Sequence, residues 1–325
     1  MSPRPLLLTL LAILLVPLLP AQEPETDLIK KGLELARRLG GEDATDFIRV
    51  VKGKKTARLE TAAVTYEDLD RELSVTLVAA VHIGDAAYYE ALQKELAGYD
   101  LVLFEGIDRG QSEPDEVLLM VGRLQRMLKG ALRLEFQPER MDMAKANMKR
   151  ADISADELAR ELEAREVGLI PNENLVRAMA PLLEKGFAML ADDGKPESRI
   201  KAVIRDKLKR SMADVLGSGL GIYERFKREQ DRLRDEVIIG HRNQHAFAML
   251  EKEIAADPRR RFAIIYGAAH QPDFECRLVE DLGLVKTNTR WFSAWRMGKE
   301  QATEEPVREP VEEEEPPAPA PVKKI

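Results

Sequence analysis

The stretch Leu73–Gly106, LSVTLVAAVHIGDAAYYEALQKELAGYDLVLFEG, decides the fold class. Leu73–Val81 is β-branched and apolar without alternation, the pattern of a strand buried on both faces. His82 ends that run, and Asp85 stands where a helix cap belongs. Ala86–Leu96 has helical spacing, with Gly98 just past its end. Leu101–Phe104 is a second short apolar strand, closed by Glu105-Gly106. Strand, crossover helix and strand make a βαβ unit, which predicts an α/β fold with a mostly parallel central sheet. It also puts His82 and Glu105 at the carboxyl ends of neighbouring strands, the edge where open α/β sheets hold ligands.

The pattern recurs downstream. Arg261–Ala269 (RFAIIYGAA) predicts another buried strand, ended by His270, and Gln271-Pro272-Asp273 leads into a helix over Phe274–Leu282. Ala79–Asp85 and Gly267–Asp273 align residue for residue: small side chains, then His, then Asp three positions on. The chain has only four histidines, and two of them occupy these corners.

Outward from this pair, Ala57–Tyr66 predicts a strand antiparallel to Leu73–Val81. Val285–Met297 predicts a late strand with Trp291 and Trp295 on one face. Residues 57–300 make the α/β domain, with a helical insertion over about 109–254. Its expected helices are Glu113–Lys129, Met141–Arg150, Ala155–Arg165 (started by Ser154), Asn174–Glu184, Glu197–Leu216 and Gly221–Leu250. Met120, Met127, Met141, Met143, Met148, Met179 and Met189 lie there, as core filling or as an adaptable groove for an apolar or peptide ligand.

The two ends differ in kind. Residues 1–21 have a signal-peptide layout: Arg4, the apolar run Leu6–Leu19, then Ala21. This predicts an exported chain, periplasmic or extracellular, with an uncleaved anchor as the alternative because a span takes ~20 residues. Residues 22–56 read as a helical lead-in, and the Pro/Glu-rich residues 301–325 as a disordered tail.

A formal net charge of −7, with no basic stripe carrying aromatics, argues against nucleic acid as a partner and leaves a peptide or small-molecule substrate. Cys276 is the single cysteine, so intramolecular disulfides and cysteine zinc spacings are excluded. There is no G-x-S-x-G elbow, P-loop or dinucleotide fingerprint.

His82, Glu105 and His270 are the candidate site. Two imidazoles and a carboxylate from separate strand ends suit a divalent transition metal (manganese, cobalt or zinc) with open positions. Such a metal polarises a carbonyl and acidifies bound water, which is hydrolytic chemistry. The plainer reading gives each His a turn to satisfy. Glu105 at a buried strand exit needs a donor or a cation. His241 and His245 share a helix face at i,i+4, a spacing open to joint ligation or to a solvated face, without the Glu of the zincin pattern. Between them Arg242 carries a fork suited to a carboxylate or oxyanion. Tyr88 and Tyr89 predict one packed ring and one presented hydroxyl, and Asp142 and Asp152 read as cap or insertion-site carboxylates.

These residues resemble the TraB/PrgY/GumN family of the TIKI-like superfamily, which includes erythromycin esterase-like and ChaN-like proteins. The family pattern is a G-x-x-H, a Glu ending the next strand, an Arg-Asn helix and a second G-x-x-H. Here Ala79-Ala80-Val81-His82 matches the first with Ala79 for glycine, and Phe104-Glu105-Gly106 matches the Glu segment. His241-Arg242-Asn243 matches the helix, and Gly267-Ala268-Ala269-His270 is an intact second motif. The resemblance implies a TIKI/ChaN-like fold and an exported metal-dependent hydrolase, of peptidase type. His82, Glu105 and His270 would then hold the metal and water while Arg242 faces the oxyanion. Glu105 is alternatively the general base; relatives that bind ligands such as haem imply a non-catalytic binding protein as a second reading, and a third is a metal-independent esterase with His82 or His270 as general base.

Overall fold

A computed structural model describes residues 47–298, apart from residues 69, 109–115, 171–172, 192–196 and 227–228. The expected signal peptide, most of the helical lead-in and the tail lie outside the described residues.

In chain order the strands are β1 Ile48–Lys52, β2 Ala57–Asp68, β3 Leu73–Ala80, β4 Ile83–Gly84, β5 Leu101–Phe104, β6 Glu135–Phe136, β7 Met148–Arg150, β8 Arg261–Gly267 and β9 Val285–Met297. The helices are α1 Ala86–Leu96, α2 Glu116–Leu132, α3 Gln137–Arg140, α4 Ala155–Ala164, α5 Glu173–Leu190, α6 Arg199–Phe226, α7 Glu229–Asp235, α8 Arg242–Ala256 and α9 Gln271–Glu280. A π turn, Glu236–His241, joins α7 to α8, and a 3₁₀ turn, Ala268–His270, joins β8 to α9.

Among the described residues the main sheet has seven strands, in the order β1-β2-β3-β8-β5-β7 with β9 also on β2. The β3–β8, β8–β5 and β5–β7 ladders are parallel; those of β2 with β1, β3 and β9 are antiparallel. The fold is therefore α/β on a mixed sheet. β9 runs along nearly all of β2, while β1 and β3 share the other edge of β2 in succession.

The βαβ unit forms with the expected helix, but its strands do not pair. β8 returns after the insertion and takes the place between β3 and β5, parallel to both. Burial explains the choice: Phe262–Ile265 is fully covered, so it belongs in the centre of the sheet. The consequence for function is direct, because the strand carrying His270 stands beside the strand carrying Glu105.

The two helices flanking the sheet lie on opposite faces. Tyr88 of α1 bonds Thr61, whereas Tyr66 bonds Glu275 of α9, and residues 61 and 66 point to opposite sides of β2. Asp85 does not cap α1; its carboxylate accepts the Arg296 N–H and faces Lys209. Ser154 does cap α4, accepting the Glu157 N–H.

In the insertion, Met141–Arg150 is not a helix. Its last three residues are β7, which extends the parallel sheet beyond β5. Glu135–Phe136 pairs with β4 in a separate two-stranded sheet. Gly221–Leu250 divides among the end of α6, α7, the π turn and most of α8. Met141 is buried and Met120, Met127, Met143, Met148 and Met179 pack against the core, so only Met189 of the seven is exposed. A bulge in β9 between Trp295, opposite Leu59, and Ser293, opposite Glu60, puts Trp291 and Trp295 on opposite faces. Trp291 lies under the Arg49 guanidinium, and Trp295 donates to the Ile83 carbonyl.

Candidate active site

The centre is Arg242, the first residue of α8, immediately after the π turn. π turns concentrate at functional sites because they re-aim the following side chain. Arg242 grips Asp152 with both arms of its fork, Nε to Oδ1 at 2.9 Å and Nη2 to Oδ2 at 2.6 Å. Nη2 also donates to Glu105 Oε1 at 2.8 Å. Asp152 accepts two further bonds, from the Gly106 and Ile153 N–H groups. Its side chain is fully enclosed, and that of Arg242 is 7% exposed.

Glu105 Oε2 accepts the Gly267 N–H at 2.8 Å, so one carboxylate spans the ends of β5 and β8. A β-carbon at Gly267 would lie 3.4 Å from that oxygen, in van der Waals contact with it. Burial works against ionisation of Glu105. The charges of His270 (when protonated), Arg242 and His82 outweigh it with the Gly267 bond, and hold the carboxyl far below its usual range. Arg242 is likewise kept protonated against burial by Asp152 and Glu105.

His270 is buried, and its Nδ1 bonds Asn243 Oδ1 at 2.6 Å. The Asn243 amide nitrogen is spent on the His270 carbonyl and on Asp273, both at 2.9 Å. Asn243 therefore presents oxygen to the ring, Nδ1 carries the proton, and Nε2 keeps its lone pair. That nitrogen stands 3.7 Å from Glu105 Oε1 and 3.5 Å from Arg242 Nη1. Burial pushes the imidazole down to about 4, partly opposed by Glu105, so it is neutral at physiological pH.

The two histidine corners are not equivalent. The ladder sets Ala79 level with Tyr266 and Ala80 level with Gly267, one residue out of step with the sequence alignment. After β3 the chain makes a bend at His82 and a short strand before its helix; after β8 it turns straight into α9. His82 is consequently exposed, with no hydrogen-bond partner for its ring among the described residues, yet close enough to act on the charges of Glu105 and His270.

Glu105, Arg242 and His270 thus come together as expected, and His82 stands at their exposed side. Asp152, expected as a cap or insertion-site carboxylate, is the main partner of Arg242. In the sequence Asn243 stands out only as part of a motif, and its role in holding His270 has no signal in spacing. His241 turns away to Glu157 at 2.9 Å, and His245 is exposed on α8, so the pair does not converge. Both tyrosine hydroxyls are used internally, Tyr88 on Thr61 and Tyr89 on the Val81 carbonyl. Asp142 holds its own turn through the Ala144 N–H, and Cys276 is an exposed thiol away from these contacts.

No family model, curated protein or solved structure matches the chain.

The donors expected for a divalent metal do not form a complete set. Among the described residues no three His, Cys, Asp or Glu side chains group at metal-holding spacing. Glu105 Oε1 and His270 Nε2 lie 3.7 Å apart, and the Arg242 guanidinium already places a fixed cation against both.

Proposed function

We infer that this chain is an exported hydrolase of esters or amides, on a TraB/TIKI-like fold, working through its own side chains. One observation carries the reading: a neutral, buried imidazole, oriented by Asn243, presents its unprotonated Nε2, with only a long contact to Arg242, beside a guanidinium clamped by two carboxylates. Buried ion clusters contribute little net stability, so an enclosed Asp152–Arg242–Glu105 triad is better explained by chemistry than by folding.

The step follows from these positions. Water held at Nε2 gives its proton to the imidazole as its oxygen attacks the substrate carbonyl carbon. Negative charge then collects on the carbonyl oxygen. Arg242 Nη1, whose bonds to His270 and the Ile238 carbonyl are long at 3.5 and 3.4 Å, is the least committed donor of a fork that Asp152 holds in place, and it offers its N–H to that oxygen. Collapse of the tetrahedral species breaks the bond to the alcohol or amine, which takes the proton from the imidazolium. Exposed His82 stands at the open side of the site.

A second reading, the metal-dependent peptidase, is favoured by the local charge. Glu105 and Asp152 oppose one guanidinium, and a cation at the mouth would offset the excess.

A panel of nitrophenyl esters and aminoacyl anilides, given to the purified chain with chelator or with manganese, cobalt or zinc, tests the choice. Turnover that survives chelation is expected. Turnover only with added metal selects the second reading. Tight ligand retention with no turnover in any condition makes the chain a binding protein.

A further inference from the structure

The ladder between β5 and β7 is interrupted beside the site. Val102 N–H donates to the Asn147 carbonyl and Ala151 N–H to the Phe104 carbonyl, the alternation of a parallel pair. That alternation makes the next two rungs Gly106 N–H to the Ala151 carbonyl and Ile153 N–H to the Gly106 carbonyl. Neither rung is present among the described residues. Beyond them the ladder resumes in the same register, with Asp108 N–H on the Ile153 carbonyl and Ala155 N–H on the Asp108 carbonyl.

Both N–H groups released by the gap go to one side chain. Gly106 donates to Asp152 Oδ2 and Ile153 to Asp152 Oδ1, each at 2.9 Å. A carboxylate thus stands in the ladder in place of two rungs, and its remaining capacity holds the Arg242 fork. The ladder between β5 and β8 ends by the same device. Glu105 N–H bonds the Ile265 carbonyl, so the next rung would take Gly267 N–H to the Glu105 carbonyl; it goes to Glu105 Oε2 instead.

The gap leaves a carbonyl to satisfy. Ala151 is fully buried, and its oxygen, having lost Gly106, would be a costly orphan. Tyr266 removes that cost. From β8 its side chain reaches across β5 and donates the phenol hydroxyl to the Ala151 carbonyl. The ring stands edge-on to His270 and to Phe274, with centroids 5.1 Å away in each case. Gln271 holds the Tyr266 carbonyl at 3.0 Å. Burial, with Asp152 beside it, keeps the phenol above its usual range, so it retains the proton it donates.

We infer that Tyr266 is a positioning residue: its hydroxyl occupies the carbonyl that the ladder gives up, and so holds open the gap in which Asp152 seats Arg242. Its effect on rate rests on the hydrolytic reading; the gap itself rests on geometry alone. Without the hydroxyl, the Ala151 carbonyl recovers the Gly106 N–H, Asp152 loses that donor, and the guanidinium it holds shifts where the oxyanion forms.

Tyr266→Phe tests this, because it keeps the ring against His270 and Phe274 and removes only the hydroxyl. In isotope-labelled chain, scalar coupling through the hydrogen bond identifies the acceptor of Gly106 N–H. The expected acceptor is the Asp152 side-chain carboxylate in the parent and the Ala151 carbonyl in the variant. On a reporter ester kcat should fall about ten- to 100-fold with KM within about two-fold, the mark of a displaced group that acts in the transition state. Since Tyr266 acts through Asp152, adding Tyr266→Phe to Asp152→Asn should cost less than about two-fold more. Coupling of Gly106 to Ala151 in the parent overturns the proposal without any variant. So does a variant that leaves Gly106 on Asp152, keeps kcat within about two-fold, or adds its full loss to that of Asp152→Asn. A parent with no turnover of any ester or anilide refutes the hydrolytic reading instead, and the gap then stands or falls on the coupling.

Discussion

Asp152→Asn changes one atom in the most enclosed part of the site. The carboxylate accepts four N–H donors at 2.6 to 2.9 Å: two from Arg242, one from Gly106 and one from Ile153. Each oxygen serves one arm of Arg242 and one amide. Whichever oxygen becomes an amine, it faces one guanidinium N–H and one backbone N–H, and the negative charge is gone. A lost bond to a charged group costs ~1.5–3 kcal/mol and a stranded amide ~1 kcal/mol or more. The expected loss is about 3–4 kcal/mol, in keeping with removal of one partner from a buried pair. With a urea slope of ~3 kcal/mol per molar, the unfolding midpoint drops by ~1 M. Hydrolysis falls as well, since Glu105 alone then holds the guanidinium. A midpoint within ~0.2 M of the parent would refute the claim that this pair is buried, fixed and paired as described.

Two further outcomes rest on the same geometry. His270 is lowered from 6.5 to about 4, so the unfolded chain binds its proton more readily. Stability from this group is complete above pH 6.5 and declines as pH falls towards 4, by about 3 kcal/mol in all. Urea midpoints between pH 4 and 7.5 should show that slope in the parent and a flatter one in His270→Gln; equal slopes would count against the burial argument. His241→Ala removes a part-exposed link to Glu157 and should cost under ~1 kcal/mol with turnover within about two-fold, whereas a ten-fold loss of turnover would place His241 in the chemistry.

The local elements around the site were readable because they obey strong rules. Ala86–Leu96 is helical to the residue expected, and the exits of β3, β5 and β8 carry His82, Glu105 and His270 as the apolar runs imply. Non-local placement was harder. Nothing in a βαβ pattern forbids a later strand from entering between its two members, and β8 did so across an insertion of well over a hundred residues. β7 is three residues, Met-Lys-Arg, with no β-branched side chain; its strand character comes from the unpaired edge of β5, not from propensity. The histidine corners show the limit of local similarity. Two similarly patterned seven-residue stretches yield an exposed ring after β3 and a buried one after β8, because β4 is drawn off to pair with β6. The roles of Asp152 and Asn243 do not show in local spacing for a related reason: each is set by a partner ninety or twenty-seven residues away.

The central claim is that His270 acts as the base beside Arg242 without help from a metal. The most direct measurement is turnover of one reporter ester by the chelator-treated chain, beside His270→Gln prepared in the same way. The account predicts that the parent keeps its rate and that the variant loses 100-fold or more, in line with removal of a general base. Equal rates in the two, or loss of the parent's rate on chelation with recovery on added metal, would contradict it.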